Sequence, residues 1–176
     1  MEPLGKLIMG IIANKSGLFE KIYPILQSKF GEIDYKSDII PFLYTDYYED
    51  EMGKNLLRQW ISFKKFIKRN EISEVKLMTC KIEKEWSVKG KRSVNLDPGY
   101  ITLSRLCLAS TKDFSHRIYL KDGIFCEVTL IYHKGSFRNL MWTYPDYKAN
   151  LDVFNSIRKI LVEDIRKSGV GSEPFL

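Results

Sequence analysis

Residues 7–43 read LIMGIIANKSGLFEKIYPILQSKFGEIDYKSDIIPFL, and this stretch decides the fold class. The run 7–13 is continuously apolar, bounded by Lys6 and Asn14, and its length fits a strand buried on both faces. Ser16 stands where a helix cap belongs. Leu18, Phe19, Ile22, Ile25, Leu26 and Phe30 then recur at helical spacing, and Gly31 can end the helix. Pro24 falls inside it and predicts a kink or a split, because proline removes one backbone donor and crowds the preceding turn. A second strand is expected over 35–43, with Pro41 near its end. The opening is therefore strand, helix, strand.

Working outward, 45–53 (TDYYEDEMG) is acidic, aromatic and closed by glycine, and reads as a loop. Residues 58–67 (RQWISFKKFI) read as a third strand. Residues 72–86 form a helix whose apolar stripe is Val75, Met78, Ile82 and Trp86, leaving Lys76 and Glu83 off the stripe. In 92–100 (RSVNLDPGY) a Pro-Gly turn follows Asp97. Residues 102–109 fit either a strand or a short helix. Segments 115–120 and 124–133 make a hairpin around Asp122-Gly123, and 142–147 (WTYPDY) is an aromatic loop. Asn150 can cap a last helix carrying Leu151, Phe154, Ile157, Leu161 and Ile165. Gly169 ends that helix, and the tail beyond it is expected to fray.

These elements predict one α+β domain over 1–176, a mainly antiparallel sheet with about three helices. The first half fits a ferredoxin-like arrangement, and the hairpin of the second half extends its sheet. Nothing resembles a linker, a repeat or a low-complexity segment.

Composition narrows the function. Lys and Arg total 28 against 22 for Asp and Glu, a net charge of +6. That balance suits phosphate-bearing partners such as nucleotides or RNA, or simply a lysine-rich solvated surface. Cys80, Cys107 and Cys126 are widely spaced with no CxxC pair, which excludes a zinc ribbon and argues against disulfides. Free thiols and no apolar run of membrane-spanning length predict a cytoplasmic protein with no membrane partner. Two histidines exclude a histidine-rich metal site. Residues 10–16 (GIIANKS) only graze a P-loop, being one residue short and lacking the glycine before Lys15. Asn14-Lys15 is not followed by the aspartate of a guanine-specificity motif. No HExxH, GxSxG or dinucleotide glycine fingerprint occurs.

The hairpin carries the most specific chemistry. With a two-residue loop, Ile118 opposes Glu127 and His116 opposes Thr129. One face then holds His116, Ile118, Leu120, Phe125, Glu127, Thr129 and Ile131, a histidine–carboxylate–hydroxyl group in an apolar setting suited to acid–base work. With a three-residue loop, Arg117 opposes Glu127 as a cross-strand ion pair. Lys112, His116 and Arg117 lie within six positions and suit an anion. Asn95 and Asp97 before Pro98-Gly99 fit a ligand-contacting turn or a plain Asx-Pro turn. Asp46, Glu49, Asp50 and Glu51 could hold Mg²⁺ with a nucleotide, or form an acidic surface loop.

Four motifs in order, PFLYTDYYEDEMG (41–53), RSVNLDPGYITL (92–103), STKDFSHRIYLKDGIFCEVTL (110–130) and WTYPDY (142–147), resemble the prokaryotic family built on domain of unknown function 4416. The resemblance runs from about Lys6 to the last helix. It implies no particular activity; some relatives carry an automatic GTP-binding label, which the missing P-loop here does not support. It implies shared polar positions at Asp46, Tyr47, Tyr48, Glu51, Arg92, Asn95, Asp97, Lys112, His116, Arg117, Glu127, Thr129, Tyr144 and Asp146, and so a common site.

Two functions are expected from this. In one, a binding protein or enzyme takes a nucleotide or RNA, with Lys112 and Arg117 on the anion and His116, Glu127 and Asp97 as catalytic groups. Asp46 and Asp97 would orient groups or a divalent ion; Arg92, Asn95, Tyr47, Tyr48, Thr129 and Asp146 would contact ligand. In the other, a non-catalytic module binds RNA or protein through exposed Tyr47, Tyr48, Tyr144 and Tyr147 beside lysines.

Overall fold

The computed structural model describes residues 3–169 and 171–176. The first strand, β1 (Leu4–Ala13), is central. Its odd-numbered residues Leu7, Met9, Ile11 and Ala13 pack on one side of the sheet and Ile8 on the other, so the unbroken apolar run serves two cores. Helix α1 (Gly17–Phe30) follows and buries Phe19, Ile22, Tyr23 and Leu26 on the first side. Each such side chain contributes about 1.5–3 kcal/mol when fully buried. The helix is not split at Pro24. That residue sits on the solvent face beside exposed Glu20, where water can take the carbonyl the proline leaves unbonded.

The expected second strand is two short pieces, β2 (Ile33–Lys36) and β3 (Ile40–Pro41), both paired with β4 (Leu57–Lys68). Between them and β4 the acidic loop winds into one turn of helix, α2 (Glu49–Met52). Helix α3 (Ile72–Glu85) and strand β7 (Val94–Ile101) complete the unit, after a two-residue ribbon of β5 (Ser87–Val88) and β6 (Lys91–Arg92). The sheet order β7-β1-β4-β2, antiparallel throughout, with α1 and α3 on one side, is the ferredoxin-like arrangement.

The second half extends the sheet beyond β7 with β8 (Arg105–Ser110), β10 (Ile124–His133) and β11 (Ser136–Asn139); β9 (Ile118–Lys121) also pairs with β10. Helix α4 (Pro145–Ala149) starts with its proline at the first turn, so WTYPDY is only partly a loop. Helix α5 (Leu151–Ser168) lays Phe154, Ile157, Leu161 and Ile165 on the second side of the sheet with Ile8, Trp60 and Leu130. The whole has three layers, two helices, a mixed-length sheet and α5. Buried Lys6 pins α5 and β2 together, its ammonium 2.5 Å from Asp34 and 2.8 Å from Asp164.

Three expectations need correcting. The tail does not fray throughout: Val170 lies outside the described residues, but Glu173–Phe175 forms a 3₁₀ turn and Phe175 is fully buried against Phe66. Arg69 fastens it by donating to the carbonyls of Pro174 and Leu176. Lys76 and Glu83 are buried rather than off the packing face. No Asx-Pro turn forms at Asp97; Asp97, Pro98 and Gly99 lie within β7. No helix among the described residues is long and apolar enough to cross a membrane, and all three cysteines are free.

Candidate functional site

The site begins at Pro98. Thr102 N–H donates to Arg105 C=O across the β7–β8 ladder at 2.9 Å. Strand alternation aims Tyr100, Pro98 and Leu96 the same way. Pro98 has no N–H to give, and pairing with β8 stops at Gly99↔Leu108. Up to that point the strands touch closely, since a Cβ on Gly99 would lie 2.3 Å from the Cys107 carbonyl oxygen. Beyond it β8 turns away and Leu96 loses its neighbour. Helix α3 supplies the missing partners: Glu83 accepts from Leu96 N–H at 2.6 Å and Lys76 donates to Leu96 C=O at 2.9 Å. Two buried charges thus stand in for a strand, which explains why they face inward. Burial pushes the Glu83 carboxyl upward, against the pull of Lys76.

The gap between β7 and β8 opens into a pocket of about 480 Å³ on the α5 side of the sheet. Its floor is Arg58, only 3% exposed. One guanidinium nitrogen lies 3.0 Å from Asp97 and the other 2.8 Å from Asp146 of α4. The guanidinium stacks among Trp60, Tyr147 and Phe42, with centroids 5.1, 5.3 and 5.8 Å away. Gly10 of β1, opposite both Trp60 and Asp97, makes this possible. A Cβ there would meet the Tyr147 hydroxyl at 2.9 Å and the Arg58 guanidinium at 3.0 Å. Burial lowers the Arg58 pKa, but Asp146, Tyr147 and Asp97 outweigh it and the group stays charged. Burial raises the Asp97 carboxyl, but Arg58 and Lys76 prevail and hold it below its ordinary value.

One wall is the hairpin, whose register resolves both readings at once. Lys121 opposes Ile124, so the loop is the two residues Asp122-Gly123, both at positive φ as a type I′ turn requires. A bulge at Leu120 then shifts the ladder by one, pairing Ile118 with Cys126. Arg117 therefore reaches Glu127 at 2.7 Å, while His116 reaches the same carboxylate oxygen at 3.0 Å. The shift also turns Ile118 and Leu120 out to solvent, away from the face expected for them. Thr129 donates to the other Glu127 oxygen at 3.1 Å. Arg117 spends its remaining donors on Ser110, the Lys112 carbonyl and the Tyr144 hydroxyl. It is buried with four of its five donors engaged within the chain, so it orients Glu127 and Tyr144. His116 lies between the rings of Trp142 and Phe114, at 5.3 and 6.1 Å.

The mouth is aromatic. Lys112 lies over the Tyr47 ring at 4.0 Å and bonds its hydroxyl; Tyr44, Tyr48 and Phe114 stand alongside. Burial pushes the Tyr144 phenol up to about 12, with the Glu127 charge adding to it. Burial and the Asp97 charge likewise raise Tyr48. These phenols stay protonated and can donate.

Of the residues the sequence nominates, Tyr47, Tyr48, Asp97, Lys112, Glu127, Tyr144 and Asp146 line this one pocket, drawn from distant segments. His116, Arg117 and Thr129 stand behind Glu127. Arg92 and Asn95 belong to a separate brace in which Arg92 clasps Glu51 of α2 at 2.6 and 2.7 Å and reaches Glu83 and Asn95. Asp46 is exposed, does not line the pocket, and serves the turn into α2 through its carbonyl. Tyr147 is 1% exposed, which removes it from any outward-facing aromatic surface. No group of three or more His, Cys, Asp or Glu could hold a metal among the described residues. Sequence reasoning missed Arg58, Lys76 and Gly10. The signal for Arg58 was its parity with Trp60: a charge on the core-facing register of a strand needs a buried partner.

A family model described as Domain of unknown function (DUF4416) matches residues 3–161. No curated protein and no solved structure matches the chain.

Proposed function

The chain belongs to the DUF4416 family, and from the site it carries we propose that it binds a small phosphate-bearing ligand of nucleotide type in the β7–β8 pocket. The ring would lie among Phe42, Tyr48 and Tyr144, and the phosphate at Lys112 in the mouth. The observation that supports this is the pocket itself: aromatic walls, a charged floor, and Lys112 at the mouth. Ring stacking on aromatic side chains contributes about 1–3 kcal/mol per base. A charge-assisted bond from Lys112 to phosphate adds about 1.5–3 kcal/mol.

Binding has more support here than turnover. Glu127 accepts three hydrogen bonds from its own chain, which suits a positioning role better than proton abstraction. Concavity likewise favours a mononucleotide over a strand of RNA, since Tyr147 lies at the floor and not on the surface. A second reading, contact with another protein, draws on exposed apolar groups near β9: Ile118, Tyr119, Trp142 and Met141.

Calorimetric titration with nucleoside monophosphates and the matching nucleosides tests the first reading. Lys112→Ala should weaken the phosphate-bearing ligand about tenfold, equivalent to about 1.4 kcal/mol, and leave the nucleoside unchanged. Absence of binding by every monophosphate at low salt would refute the proposal.

A further inference from the structure

A hydroxyl oxygen has two lone pairs and one hydrogen, so a hydroxyl that only accepts bonds within the protein still has its hydrogen to place. Three such hydroxyls line the pocket, on Ser110, Tyr144 and Tyr47. Ser110 Oγ accepts from the Lys112 backbone N–H at 3.1 Å and from one terminal nitrogen of Arg117 at 2.9 Å, which uses both lone pairs. The Tyr144 oxygen accepts from the other terminal nitrogen of Arg117 at 2.5 Å. The Tyr47 oxygen accepts from the Lys112 ammonium. Among the described residues, none of the three donates to a protein acceptor. Glu127, on the same wall, takes its bonds from Arg117, His116 and Thr129 instead.

The planar guanidinium of Arg117 sets its two terminal nitrogens side by side, so it holds Ser110 and Tyr144 as neighbours. It also anchors the Lys112 carbonyl at 2.9 Å. Arg117 is matched by Glu127 at 2.7 Å, whereas Lys112 has no carboxylate partner among the described residues. The wall is thus left with three unspent hydroxyl hydrogens and one unmatched ammonium. A hydroxyl that accepts from a cation is polarised toward giving up its own hydrogen, so these are strengthened donors. Resting on the nucleotide-pocket reading, we infer that Ser110, Tyr144 and Tyr47 join Lys112 in a subsite for a terminal phosphate monoester. Such a group carries about −1.5 to −2 charge at pH 7 and three acceptor oxygens. A phosphodiester has one oxygen esterified away and a single charge, so it leaves part of this donor set unmet. The ligand class is therefore a nucleotide that ends in a phosphate, not an internal position of a chain.

Calorimetric titration of the full chain compares each of the four nucleoside 5′-monophosphates with its 5′-methylphosphate, a diester of the same base and sugar, and with the parent nucleoside. A monophosphate that binds should do so about tenfold more tightly than its methyl diester. Ser110→Ala and Tyr47→Phe should each weaken the monophosphate, narrow that ratio and leave the nucleoside unchanged; in Ser110→Ala the Arg117 nitrogen keeps the Lys112 carbonyl. Tyr144→Phe should weaken the monophosphate too, and if it does not fold the other two variants decide. Equal affinity for monophosphate and methyl diester overturns the subsite and leaves the pocket reading standing. So does a monophosphate affinity that neither Ser110→Ala nor Tyr47→Phe alters, or a loss that the nucleoside shares in full. If no monophosphate binds, the nucleotide reading itself falls.

Discussion

Replacing Arg58 with methionine is the sharpest probe of the site. Methionine keeps the length and apolar contacts among Phe42, Trp60 and Tyr147 but removes the charge that two carboxylates share. Asp146 has a side chain 5% exposed and Asp97 one 26% exposed, so at least the first cannot be rescued by water. Breaking a buried ion pair from one side costs about 3–5 kcal/mol. Domain stabilities run to about 5–15 kcal/mol, so a fifth or more of the total is at stake. At about 2–4 °C per kcal/mol for a chain of this size, Tm should fall by roughly 6–20 °C. Urea unfolding followed by circular dichroism, with far-ultraviolet signal retained in buffer, reads the loss directly. The triple variant Arg58→Met/Asp97→Asn/Asp146→Asn should recover most of it, because no buried charge is then unpaired. A single-variant loss below about 1 kcal/mol, the range of an exposed ion pair, would refute the argument.

Gly99→Ala should destabilise by about 1–3 kcal/mol, since the new methyl meets the Cys107 backbone carbonyl as well as the Leu108 side chain; a neutral result in urea unfolding would mean β7 and β8 do not approach so closely. Deleting 173–176 should cost about 3–5 kcal/mol through loss of fully buried Phe175, measured by the same assay, whereas an unchanged midpoint would show the tail to be dispensable. Burial raises the Asp97 carboxyl, but Arg58 and Lys76 bring it below its ordinary 3.8. A depressed carboxylate contributes stability above its unfolded value that disappears as pH falls through its folded value. Asp97→Asn should therefore flatten the acid limb of the stability curve below about pH 5, and an unaltered limb would contradict the assignment.

The legible parts of this protein were those written in local pattern. Residues 7–13 read as a buried strand, 72–86 as a helix, and Asp122-Gly123 as a hairpin turn of two or three residues, because each obeys a short-range periodicity or a backbone requirement. The order of those elements also fitted the ferredoxin-like arrangement that the first half adopts. Many of the polar residues that line the pocket also lie in the motifs that the sequence singles out, since polar side chains clustered in motifs have no place in a core.

Only the tertiary structure decided how those residues act. The bulge at Leu120 brought Arg117 onto Glu127 and turned a candidate anion ligand into a brace; a register shift of one residue leaves no mark in the local sequence. Pro98 looked like a turn because proline is costly inside a sheet, yet it lies in β7 where the strand's neighbour departs, and that departure opens the pocket. Lys76, Glu83 and Arg58 were hidden for a common reason. A buried charge is tolerable only when a partner distant in sequence meets it, and periodicity along one chain segment carries no information about which distant atoms will arrive.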